Sequence, residues 1–219
     1  MMPHVEVCDG DRPMGNRAWT GVSADGTVRA MALVDGAGSW DNGAEVAELC
    51  FQALGVLNPL PVAFDRGDLI RVLANRVGHY RDPEGSRLSV MGVTVRGCIV
   101  RTFAGGALGA ALLTAGGLVR PVYEPLRVVN RMVREGKVSR KEADTHELAG
   151  IVEAEPFTGR PGSLTLGDLT VNAGDQMIFG APGAIRGLRA GVQSTTARGL
   201  RDRLVGRGER SCATAVLSW

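Results

Sequence analysis

The sequence has no run of about 20 apolar residues of the kind that crosses a bilayer. Its longest weakly polar stretch, Phe103 to Val119, is interrupted by Gly105-Gly106 and Gly116-Gly117 and closely flanked by Arg101 and Arg120. Residues 1–11 carry early acids and no apolar segment of signal-peptide length, so neither an export signal nor a membrane anchor is expected. Aromatic residues make up only 5% of the chain. The one dense basic stretch, Arg198, Arg201, Arg203, Arg207 and Arg210, therefore has no stacking platform, and a solvated face is expected rather than a nucleic-acid surface. Cysteine is sparse. Cys8, Cys50, Cys98 and Cys212 form no CxxC pair and lie far from His4, His79 and His146, which excludes zinc-site spacing and favours a reduced, cytoplasmic chain. No internal repeat and no linker longer than an ordinary loop is present, so residues 1–219 are expected to form one domain.

What the chain does have is an ordinary apolar fraction, 44%, and nearly balanced charge, +2 over 219 residues. A core can form without staples. Strand patterns cover Val5 to Cys8, Ala18 to Ser23 and Thr27 to Val34, the last two joined by Ala24-Asp25-Gly26. Asp-Gly predicts a hairpin whose two central residues both take positive φ. Helical stripes follow at about Asn42 to Leu54, closed by Gly55, and at about Arg66 to His79. Four strands, Ser89–Val95, Cys98–Phe103, Leu108–Thr114 and Leu118–Val122, are punctuated by glycine. A helix over Leu126 to Arg134 ends at Glu135-Gly136. Ser139 and Glu142 form a capping box that predicts a further helix to about Leu148. Leu164–Val171 and Asp175–Phe179 read as strands, Val192–Val205 as a helix and Cys212–Ser218 as a closing strand.

This order has no βαβ alternation, which argues against a doubly wound parallel sheet. Hairpin-linked strands with helices in paired blocks predict an α+β protein: a four-layer αββα sandwich of two mainly antiparallel sheets flanked by paired helices.

Several segments in one order resemble the protein phosphatase 2C family of metal-dependent (PPM-type) serine/threonine phosphatases, in its compact bacterial form. Asp25-Gly26-Thr27 leads to Val34-Asp35-Gly36-Ala37-Gly38 and then Gly43-Ala44-Glu45-Val46-Ala47-Glu48, like the family's D-G-x-G turn and the helix after it. Met91-Gly92-Val93-Thr94 resembles its G-T-T element. Val129 to Ala143, preceded by Gly117-Leu118-Val119-Arg120, is similar to its helical pair. Ala173 to Phe179 resembles its G-D strand, and Ala213 to Leu217 its last strand.

The resemblance implies two-metal hydrolysis, in which carboxylates hold two hard divalent ions that activate water. Asp35 stands at the D-G-x-G aspartate, and Gly36 at the glycine whose carbonyl is a ligand in the family. Arg12 stands for the phosphate-binding arginine. The other acids are replaced: Asn16 and Arg17 take the places of the N-terminal pair, Ala107 that of the G-D-S aspartate, Pro182 that of the S-D-G aspartate and Ser211 that of the last one. Arg17 near the site would repel ions further. The expectation is a pseudophosphatase that binds a phosphoprotein or kinase in bacterial signalling and requires no cofactor. The alternative is a divergent phosphatase that uses Mg²⁺ or Mn²⁺ with a reduced or rearranged site.

Other readings stay open. Asp35 could cap the following helix, and Arg12 could be a surface arginine. Asp41 and Glu45 could replace lost ligands or answer the helix dipole. Asp9 and Asp11 could do the same or sit in a solvated turn. Cys212 reads as a buried strand cysteine and His146 as helix surface.

Overall fold

The computed structural model describes residues 2–8, 16–37, 40–79, 87–125, 127–143, 145–149, 151, 153, 157, 160, 164–180 and 214–219. The predicted helix over 192–205 lies outside them.

Among the described residues, ten strands form two antiparallel five-stranded sheets. The first sheet runs β2 (Asn16–Val22), β3 (Val28–Ala37), β4 (Arg87–Arg96), β5 (Ile99–Gly105) and β8 (Thr165–Thr170), in that spatial order. The second runs β1 (His4–Cys8), β10 (Thr214–Ser218), β9 (Gln176–Gly180), β6 (Gly109–Leu113) and β7 (Val119–Tyr123). The predicted α+β architecture with two packed antiparallel sheets is the one observed.

Strand β3 shows how the sequence places the layers. Its residues alternate between two buried faces, so it reads as a nearly continuous apolar run. Met31 and Leu33 join Met91, Val93, Ala104, Leu108, Met177, Phe179, Ala215 and Leu217 in the core between the sheets. Ala30, Ala32 and Val34 point the other way, into a second core with Val46, Cys50, Leu54, Leu69 and Leu73. That second core is made by α1 (Trp40–Gly55) and α2 (Arg66–His79), which cover the outer face of the first sheet. The outer face of the second sheet is also buried, at Ala111, Ile178 and Val216.

Helix α2 starts on a reciprocal cap. The Asp65 carboxylate accepts from the N–H of Gly67 and Asp68, at 2.7 and 3.2 Å, while Asp68 accepts from the Asp65 N–H at 3.0 Å. Helix α3 (Val128–Arg134) ends where Gly136, at φ +69°, lets the Lys137 and Gly136 N–H groups reach the Met132 and Val133 carbonyls.

Two expectations need correction. The turn between β2 and β3 is not one with two positive-φ residues: Gly26 takes φ +71°, and no residue other than glycine has positive φ among the described residues. The loop is longer, and Asp25 organises it, accepting from Ser23 Oγ (2.6 Å), Thr27 N–H (3.0 Å) and Thr27 Oγ1 (2.9 Å). These hydrogen bonds hold the Asp25 carboxyl below its ordinary range. The capping box of Ser139 and Glu142 forms as expected, but its helix, α4 (Arg140–Ala143), is one turn long and does not reach Leu148. Side chains there compete for the backbone. The Thr145 hydroxyl donates to the Glu142 carbonyl and the His146 ring accepts from the Leu148 N–H, so His146 sits in a turn.

Gly92 lies directly across from Phe103, and a Cβ there would fall 2.3 Å from the Phe103 ring and 3.1 Å from Leu69. Glycine is what lets the buried ring lie flat over the neighbouring strand. Gly92→Ala is expected to destabilise the fold by about 1–3 kcal/mol through overpacking. Urea unfolding checks this as a lowered midpoint with an unchanged slope.

Candidate functional site

One end of each described strand gathers at one end of the sandwich, with the start of β8 beside the end of β5 and the end of β7 beside the start of β6. β5 passes to β6 through residues 106–108 alone, so the last residues of β5 and the first of β6 must share that end. The antiparallel register then brings there the start of β2, the end of β3, the start of β4, the end of β9, the start of β10 and the end of β1. This is the mouth at which the resemblance places the site.

Asp35 is there. It lies on the same side of β3 as Met31 and Leu33, facing the space between the sheets, and is half-buried. Its direct cross-strand neighbours are Asn16 on β2 and Ser89 on β4, while Gly36 sits opposite Leu88. The first sheet thus brings together Asn16, Asp35 and Ser89 in one row.

Ser89 was not anticipated. Its hydroxyl, buried in the mouth, accepts from the Ala107 N–H at 3.0 Å. Gly106 makes this approach possible: it takes φ +80°, and a Cβ there would lie 2.6–2.9 Å from Ser89. Tyr123 was also missed. It donates from its hydroxyl to the Gly106 carbonyl at 3.4 Å, and burial raises its pKa. Ala107 is thus fixed through its backbone by Ser89, with Tyr123 beside it. A serine hydroxyl near the start of β4 carries no chemical signature in a sequence, which is why it escaped notice. Thr214, at the start of β10 opposite Cys8, is fully buried.

Arg17 departs from expectation. The alternation that turns Asp35 inward turns Arg17 outward, onto α1. Its guanidinium pairs with Glu48 at 2.9 and 3.0 Å and lies 5.4 Å from the centre of the Phe51 ring. It therefore adds no positive charge to the mouth and instead fastens β2 to α1. Such a partly exposed pair contributes on the order of 0–1 kcal/mol, with the ring contact adding about as much.

Glu45 is exposed on α1, and Asp41 lies in the first turn of that helix. Arg12, Pro182, Ser211, Asp9, Asp11 and Cys212 lie outside the described residues. Among the described residues, no three of His, Cys, Asp and Glu come together as a group able to hold a metal ion. Among the described residues Asp35 is flanked in register by an asparagine and a serine, and these three alone do not make a two-ion centre, since hard dications need several anionic oxygens. Nor is a thiol available as nucleophile on α1. Cys50 is buried, and burial pushes its pKa up to about 12 against a smaller opposing pull from Arg76. No described helix is long and apolar enough to cross a membrane.

No protein-family model and no curated protein matches the sequence. Solved structures do match in fold. The chain is similar to the serine/threonine phosphatase Stp1 from Staphylococcus aureus, with TM-score 0.72 and 16% identity over 99% of this chain and 94% of that one. It is similar to the PPM Ser-Thr phosphatase MsPP from Mycobacterium smegmatis, with TM-score 0.64 and 17% identity over 100% and 98%. The catalytic domain of the phosphatase PstP, solved with two manganese ions, matches with TM-score 0.70 and 19% identity over 99% and 96%. The chain has the fold of the bacterial PPM-type serine/threonine phosphatases.

Ser89→Ala would leave the Ala107 N–H without its partner in a buried turn. The expected cost is about 1–3 kcal/mol. It would be read from urea unfolding, and Ser89→Thr, which retains the hydroxyl, should recover part of the loss.

Proposed function

We propose that residues 1–219 form one domain that keeps the phosphatase fold and binds its target without hydrolysing it. On this reading the chain is a pseudophosphatase, a cytoplasmic regulatory module that recognises a phosphoprotein or a kinase. One observation carries it: among the described residues the mouth brings one carboxylate, Asp35, into the row with Asn16 and Ser89, and Ala107 is fixed by a neutral hydroxyl.

Two neighbouring dications concentrate about four positive charges, and stripping their water costs far more than one carboxylate and one carbonyl return. At the other acid positions of the family this sequence has Asn16, Arg17, Ala107, Pro182 and Ser211. The Ser89–Ala107 hydrogen bond supplies locally what an ion would otherwise supply, a fixed position for the turn between the sheets. Binding without turnover would then rest on shape and on Arg12, whose guanidinium can accept a phosphoryl group in a bidentate manner.

A second reading, a divergent phosphatase using Mg²⁺ or Mn²⁺, has one observation in its favour: Asp35 does stand at the mouth and faces the space between the sheets. The two readings separate cleanly. Titration calorimetry with Mn²⁺ should show no saturable pair of sites, and p-nitrophenyl phosphate and a phosphopeptide should not be hydrolysed faster with Mg²⁺ or Mn²⁺ than without. Metal-dependent turnover that disappears in Asp35→Ala would establish the enzyme instead. In the same experiments Arg12→Ala should weaken binding of a phosphothreonine peptide about tenfold or more, the scale of a lost charge-assisted contact.

A further inference from the structure

The end of the first sheet opposite the mouth carries a second feature that the phosphatase resemblance does not explain. A cleft of about 220 Å³ opens on its outer face, below the start of α2. Val28, Arg96 and Ile99 lie side by side across β3, β4 and β5 and form its floor; Thr94 and Arg101 form the next row. Ala63, Phe64 and Asp65, from the segment before α2, form its wall. Val28 and Asp35 stand seven residues apart on β3, so cleft and mouth are separated by roughly 20 Å of strand.

The charged lining of the cleft is two arginines, Arg96 and Arg101, and one acid, Asp65. Arg96 donates from Nη2 to the Val62 carbonyl at 2.7 Å, which sets its direction and leaves other N–H groups available. Arg101 is exposed, and no described residue holds it by a hydrogen bond or ion pair. The acids close by have partners of their own but keep their charge. Asp65 accepts from the first N–H groups of α2, and Asp168, directly across from Arg101, pairs with Arg66 at 2.5 Å. Two guanidinium groups therefore remain facing outward. Between and beside them lies apolar surface: Ile99 is 49% exposed, Val62 50% exposed, and Phe64 forms the inner wall. Arginine beside aromatic and aliphatic surface is the composition of protein-binding hot spots.

The volume selects among ligands. Pockets for cofactors and drug-sized molecules run to about 300–1,000 Å³. This one is smaller and open, with room for a single large apolar side chain. We propose that the cleft docks an acidic peptide segment of a partner protein: one apolar side chain seats against Phe64 and Ile99, and flanking carboxylates pair with Arg96 and Arg101. The site stands apart from the mouth and does not depend on whether Asp35 takes part in catalysis.

Fluorescence anisotropy with a fluorescein-labelled Asp-Glu-Glu-Leu-Glu-Asp peptide tests this on the full chain. Saturable binding is expected that weakens with added salt, and that drops about tenfold or more in Arg101→Glu, the scale of a reversed charge at an interface. A peptide with lysine at the acidic positions should not bind, and alanine in place of the leucine should weaken binding. Ile99→Glu, a second surface change, should act like Arg101→Glu, with thermal unfolding of both variants close to wild type. Amide shifts on binding should cluster in residues 62–65 and 94–101. Absence of binding at millimolar peptide, equal binding by Arg101→Glu, or shifts centred on Asp35 and Ser89 would each overturn the proposal. So would full competition by inorganic phosphate, which would mark a small-anion site, or binding to phosphatidylglycerol vesicles through the same arginines without peptide binding.

Discussion

The structure hangs on one constraint: strand β3 must bury both of its faces at once. Met31 and Leu33 have to meet the second sheet, while Ala30, Ala32 and Val34 have to meet α1 and α2. A strand in that position cannot slip by one residue, because a slip exchanges every side chain between two cores of different shape. Its register with β2 and β4 is therefore fixed along its length, and the position of Asp35 at its mouth end follows from packing alone. Packing alone is enough to keep an aspartate in this place, with no ion needed to hold it there. Its presence is strong evidence of fold and weak evidence of chemistry.

The same alternation accounts for the fate of Arg17. An acid pair on adjacent residues of a strand cannot send both side chains into one space, and neither can the pair that replaces it. Arg17 faces α1, where Glu48 and Phe51 receive it. What was a question of ion repulsion becomes one of fastening an edge strand to a helix. At the crossing between the sheets, the geometry is likewise maintained without charge. Gly106 gives up a side chain so that Ser89 can approach, and the Ala107 N–H finds its acceptor there. A hydrogen bond of this kind is modest when made and costly when left unmade, so it holds a turn in place while contributing little net stability.

Much of this was legible in the residues. Periodicity placed the strands and the first two helices to within a few residues, since tertiary burial and local pattern agree there. The Ser139–Glu142 box was read correctly as a helix start, yet the helix stops after one turn. Capping motifs specify where a helix begins, and the side chains of Thr145 and His146 decided its length. Asp25-Gly26 announced a turn but not its type, because the Asp25 carboxylate had a third option, gathering Ser23 and Thr27. At the site, the place of Asp35 at the end of β3 was readable. The contacts around it were not, since Ser89, Gly106 and Tyr123 acquire meaning only when strands distant in sequence are set side by side.

The two ends of the first sheet now have opposite characters. Among the described residues at the mouth, Asp35 lies in register with the uncharged Asn16 and Ser89. At the far end, two arginines face solvent beside exposed apolar surface while nearby acids are engaged elsewhere. A catalytic centre needs converging charge, and a docking surface needs charge that points outward next to something greasy. The folded sheet offers the second arrangement at the end where the phosphatase resemblance assigns nothing. The proposed docking at Arg96 and Arg101 therefore rests on surface that the packing of the two cores leaves outside.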